Sequence, residues 1–109
     1  MDEARRAVWI AMSDLFLDTD VQLLYAHIAR VCAESPFSQD ELERIFREEV
    51  APVLEPNLRS VAGEWAGFNE EWLVSAISHR KPGAAWMESL AMNDYRAVAI
   101  LIERLRAAT

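Results

Sequence analysis

A phenylalanine, a capping residue and a leucine recur at one spacing in this chain, and that spacing dictates where helices begin. In Phe37-Ser38-Gln39-Asp40-Glu41-Leu42, Ser38 and Glu41 stand as the two halves of a capping box, while Phe37 and Leu42 form a hydrophobic staple around it. Phe68, Asn69 and Leu73 repeat the arrangement, with Glu70 and Glu71 in the first turn, where the helix dipole favours carboxylates. Thr19, with Gln22 after it, reads as a third start. No stretch alternates apolar and polar residues as a strand requires. The expectation is an all-α fold, a single compact domain over residues 1–109 with five to seven helices in an irregular bundle.

Apolar spacing sets the provisional boundaries. A first helix from Asp2 to Leu17 carries Val8, Ala11, Met12 and Leu15 on one stripe, widened by Trp9 and Phe16. Ile10 and Leu17 fall on its other side and ask for a second neighbour. A second helix starts at Thr19 and buries Leu24, Ile28, Val31 and Cys32, ending before Pro36. The third buries Leu42, Ile45, Phe46 and Val50, and ends or kinks at Ala51 because Pro52 follows. A short fourth begins at Pro56-Asn57 and runs to Trp65 through Leu58, Val61 and Ala62. The fifth, capped by Asn69, turns Trp72, Leu73, Ala76 and Ile77 inward and stops at Pro82-Gly83. Residues 84–92 are helical, with Trp86, Met87 and Leu90 inward, and Asn93 caps a last helix carrying Tyr95, Val98, Ile102 and Leu105. Whether these two segments are continuous stays open.

Charge and cysteine usage narrow the function classes. The net charge is −7, and Lys81 is the only lysine. Such a surface repels nucleic acid and anionic lipid, and it steers a basic protein partner. Cys32, the single cysteine, is placed for a small buried hydrophobe, which fits a reducing compartment. No run of residues approaches a membrane span, and the N-terminal residues lack the apolar core of a signal peptide. The cytoplasm is the expected location.

The search for chemistry returns little. One cysteine and two histidines carry no metal-ligand spacing, so neither a metal site nor a cofactor is expected. Asp14, Asp18 and Asp20 crowd one helix edge, but the loop lacks the glycine and glutamate of a calcium-binding hand. A solvated edge is the better reading, and its function, if any, is to meet an arginine or lysine of another protein. No serine carries a nucleophile signature and no glycine-rich loop cradles a phosphate, so the chain is not expected to be an enzyme. The tryptophans fall on core-like stripes and are read as core rather than as base-stacking platforms.

Three blocks carry a resemblance. They are Val8-Trp9 through Ser13-Asp14-Leu15-Phe16-Leu17-Asp18-Thr19, Glu49-Val50-Ala51-Pro52-Val53, and Asn57-Leu58 through Ala62-Gly63-Glu64-Trp65-Ala66-Gly67-Phe68 with Trp72-Leu73. Together they resemble a family of small bacterial proteins classed as a domain of unknown function. The likeness covers roughly residues 5–78, and no motif extends it to the last helix. It implies free-standing small proteins, some of them encoded near toxin genes, and carries no catalytic residues. Size, acidity and this resemblance lead to one expectation: an immunity protein that neutralises a cognate toxin by stoichiometric binding. Asp14, Asp18, Asp20, Glu70 and Glu71 are the candidate contacts for a basic toxin domain. The alternative is a helical adaptor or regulatory module, homodimeric through the Ile10 and Leu17 side of the first helix.

Overall fold

A computed structural model describes residues 2–59, 63–64, 66–80 and 89–108. Among them are the helices α1 (Glu3–Ser13), α2 (Tyr25–Glu34), α3 (Gln39–Ile45), α4 (Ala51–Leu58), α5 (Glu70–His79) and α6 (Met92–Ala107), and no strand. A 3-10 turn, Asp14–Phe16, prolongs α1, and a second, Gln22–Leu24, leads into α2. A π turn, Phe46–Val50, joins α3 to α4 without a break. Counting that run as one helix gives five helical segments among the described residues, within the all-α expectation.

Two of the three sequence-encoded starts form as read. Ser38 Oγ accepts from Glu41 N–H at 3.1 Å, and Glu41 Oε1 accepts from Ser38 N–H at 3.0 Å. Phe37 and Leu42 are both buried beside this box. Asn69 Oδ1 accepts from Trp72 N–H at 2.8 Å at the head of α5. The Thr19 box does not form. Asp20 takes the role instead, accepting from Gln22 N–H at 3.1 Å, and the full α-helix starts only at Tyr25. A short aspartate closes a tighter turn than the threonine and glutamine would.

Pro52 does not end the third helix. It has no N–H to give the carbonyl four residues back, at Glu48. The chain widens just before it: Ala51 N–H reaches five residues back to Phe46 O, and helix resumes through Pro52 and Pro56 to Leu58. The helix expected to start at Pro56-Asn57 is therefore the end of α4. Asn93 is also not a cap, since α6 begins at Met92 with Ala91 before it. Expectations for Val61, Ala62, Trp65 and residues 81–88, Trp86 and Met87 included, fall outside the described residues.

The core gathers around a ladder of rings. Phe46 from the π turn stacks on Phe16 at 5.5 Å and on Tyr95 at 4.6 Å, tying the end of α1 to α6. Val8, Met12, Ile28, Cys32, Leu42, Val98 and Ile102 close around it with essentially no exposure. Burial pushes the Cys32 thiol up to about 12, against a small opposing effect of Arg106, so it packs as a hydrophobe. Near the end of α6, Arg106 donates to the carbonyls of Cys32, Ser35 and Phe37, at and just after the end of α2. Leu17, expected to need an outside neighbour, is 5% exposed, and Ile10 packs on the core. Trp72, Leu90 and Leu105, expected inward, are instead exposed.

Because Phe46 sits between two rings, Phe46→Ala should lower unfolding free energy by about 3–5 kcal/mol. Ser38→Ala, which removes one cap bond, should cost about 1 kcal/mol. Urea denaturation followed by circular dichroism measures both, and a Phe46→Ala loss no larger than that of Ser38→Ala would contradict the central place given to the ladder.

Candidate functional site: an acidic edge built on a backbone knot

The expected contact residues fall into two groups. Asp14, Asp18 and Asp20 lie at the far end of α1 and in the turn after it, and Glu70 and Glu71 open α5. Glu70 is drawn to α1, where its Oε1 lies 3.9 Å from Arg6 Nη2. Arg6 is eight residues before Asp14, about 12 Å along a helix, so the groups do not converge on one point. The segment carrying Glu64, Phe68 and Asn69 runs between them.

Asn57 fastens that segment to the end of α1. Its Nδ2 donates to Phe16 O at 2.8 Å and to Glu64 O at 3.2 Å, and its Oδ1 accepts from Glu64 N–H at 2.7 Å. Asp18 N–H completes the knot by donating to the same Glu64 carbonyl at 2.7 Å. Gly63 permits the approach, since a Cβ there would lie 2.5 Å from the Asn57 carbonyl oxygen. Gly67, with φ at 146°, then turns the chain toward Phe68 in a conformation that favours glycine. Asp18 and Glu64 are thus held side by side by backbone bonds, and both are exposed.

The aspartates differ sharply in setting. Asp18 and Asp20 are exposed, and the Asp20 carboxylate serves its own turn. Asp14 is half-buried at the C-terminal end of α1, where the helix dipole opposes a negative charge. Burial raises its carboxyl above the ordinary range, and His27 on α2 pulls weakly the other way. No donor among the described residues hydrogen-bonds its side chain.

Two carboxylates that the sequence did not single out have structural duties. Glu49, carried by the π turn, takes a two-pronged bond from Arg5 at 2.9 Å for each contact and accepts from Trp9 Nε1 at 2.8 Å. Glu55 is fully buried, accepting from Ser89 Oγ at 2.6 Å, Leu90 N–H at 2.8 Å and Arg59 Nε at 3.2 Å. It anchors α4 to the start of α6. No motif spacing points to a buried Glu55, because Ser89 and Leu90, which bury it, are more than thirty residues away. Among the described residues no group of three histidine, cysteine, aspartate or glutamate side chains is disposed to hold a metal ion. No helix of the described residues is long and apolar enough to cross a membrane. A groove of about 230 Å³ lies between α1 and α2, its apolar lining made by Ala7, Ile10, Ala11 and Val31.

A family model described as a domain of unknown function (DUF7079) matches residues 3–102. The chain belongs to this family. In this DUF7079 chain the match runs from the first turn of α1 to Ile102 on α6, so it takes in the knot, the π turn and the ring ladder together. No curated protein and no solved structure matches the chain.

The carboxyl shifts give opposite pH dependences. Burial pushes Glu49 up, but the hydrogen bonds from Arg5 and Trp9 outweigh it and hold the group below its ordinary range. Its stability contribution is therefore present above the unfolded pKa and is lost as pH falls through the folded one. Asp14 is raised, so ionising it costs stability as pH climbs from the unfolded value through the folded one. Urea midpoints measured from neutral pH down to about pH 3 should fall less steeply for Glu49→Gln than for the wild type. Asn57→Ala, read at neutral pH, should cost about 1–3 kcal/mol through the unpaired Phe16 and Glu64 groups.

Proposed function

We propose that this protein acts by stoichiometric binding to a basic protein, in the manner of an immunity protein that neutralises a cognate toxin, and that it does no chemistry of its own. The observation that carries the reading is the Asp14 carboxylate. It is half-buried, stands at the wrong end of a helix dipole and has no hydrogen-bond donor among the described residues. Natural sequences keep such a residue where function offsets the loss of stability. A cation brought by a partner supplies what the fold withholds. Asp18, Asp20 and Glu71, all exposed, extend the same sign of charge and steer a basic surface toward the edge.

The knot at Asn57 favours binding further. An edge fixed by backbone bonds loses little conformational freedom on association. A nuclease toxin is a natural target, because its phosphate-binding groove already attracts carboxylates. The adaptor reading stays as the second proposal, but its motive is weaker: Leu17 and Ile10 find their neighbours inside the fold.

Co-expression with the toxin-like gene nearest its own tests the reading. Wild-type protein should restore growth, and Asp14→Asn should restore it poorly while its unfolding free energy at neutral pH rises by about 0.3–1 kcal/mol through the relieved dipole penalty. An Asp14→Asn protein that rescues fully would remove Asp14 from the contact, and failure of the wild type to rescue or to bind any such toxin would remove the function.

A further inference from the structure

Trp72 breaks the pattern of α5. Its spacing with Leu73, Ala76 and Ile77 predicts burial, yet it is 52% exposed while Leu73 and Ile77 are buried. It is not loose. Phe68, which packs on the core with one part of its surface, stacks on the Trp72 ring at 6.3 Å with 24° between the planes. The N–H of Trp72 is bonded to the Asn69 cap, so its backbone is fixed as well. The result is a two-ring shelf open to solvent, bordered by the exposed Glu70 and Glu71.

The chain already contains a working example of what such a shelf holds. The Arg5 guanidinium lies 5.2 Å from the centre of the Phe37 ring while Glu49 grips it with both carboxylate oxygens. Aromatic face plus carboxylate is an arginine seat, since the ring quadrupole attracts the cation and the planar group stacks flat. Phe68 and Trp72 offer an aromatic face with tryptophan as the stronger π surface, and the exposed Glu71, next to Trp72 in the chain, offers a carboxylate.

We propose that the Phe68–Trp72 shelf seats an arginine of the basic partner, with Glu71 as its counter-charge. This deepens the binding function above and rests on it for the identity of the partner. Arginine is favoured over lysine because a guanidinium both stacks on the ring and meets a carboxylate edge-on, whereas an ammonium is a compact, strongly hydrated charge. An exposed tryptophan held in a fixed pose is also the residue type that dominates protein interfaces.

The test uses the full chain and three short peptides that differ at one position: arginine, lysine or the uncharged isostere citrulline. The Trp72 indole N–H resonance, assigned by its loss in Trp72→Phe, is followed during titration. The arginine peptide should shift it most, lysine less and citrulline least. Glu71→Gln, which leaves the shelf and its packing intact, should weaken the arginine response about fivefold. Equal shifts with arginine and citrulline, or none with either, overturn the shelf even where the wild-type protein rescues in co-expression. Conversely, a selective arginine shift in a protein that rescues nothing leaves the shelf standing and removes the toxin as its partner.

Discussion

Pro52 has no N–H to offer the Glu48 carbonyl, and its ring crowds that carbonyl as well. An ordinary helix would break there. This one takes an extra residue into the turn before the proline, so Ala51 bonds back to Phe46 and the chain runs on to Leu58. Three consequences follow from that one adjustment. The freed Glu48 carbonyl is taken by the Arg80 guanidinium, which brings the end of α5 against the turn. Glu49 is aimed at Arg5 and Trp9, two positions four residues apart on the same face of α1. Phe46 is set between Phe16 and Tyr95. The wide turn is where α1, α5 and α6 are referred to one another.

The three sequence blocks that carried the family resemblance acquire a physical meaning in this frame. The block around Glu49 to Val53 is the wide turn and its proline. The block from Asp14 to Thr19 supplies Phe16, whose carbonyl Asn57 binds and whose ring joins the ladder. The block from Asn57 to Phe68 supplies the knot, the glycine that lets it close, and the lower ring of the shelf. Blocks far apart in the chain thus meet through a handful of bonds, several of them to backbone atoms.

Local rules made part of this legible. The starts at Ser38 and Asn69 are encoded within six residues each, and the buried stripes of α1 and α3 within a few turns, because capping and periodicity act locally. Of the two outcomes expected at Pro52, an end or a kink, the end does not occur: the chain takes a wide turn instead, and its side chains and freed carbonyl meet Phe16, Tyr95 and Arg80, all distant in sequence. Glu55 was invisible for the same reason. A glutamate in an apolar stretch is recognisable as buried only once Ser89 and Leu90 are known to meet it. For the acidic edge, composition gave the sign of the charge, whereas the split between the Asp14 and Glu70 groups had to come from helix packing.

Asp14 and Trp72 share a property that Asp20, Glu49, Glu55 and Glu70 lack. Each of the latter has a partner within the chain. Asp14 is partly desolvated at a helix end of its own sign, and Trp72 leaves half of a large apolar surface in water. Neither arrangement lowers the energy of the isolated fold. The one is a carboxylate short of a cation, the other a π face with a carboxylate beside it. A single kind of group, a cation on a partner's surface, satisfies both deficits, and the lack of convergence between the two positions then has a simple reading. For the binding proposed above, a partner would have to reach both positions with separate basic side chains, as an extended protein face does and a small molecule does not.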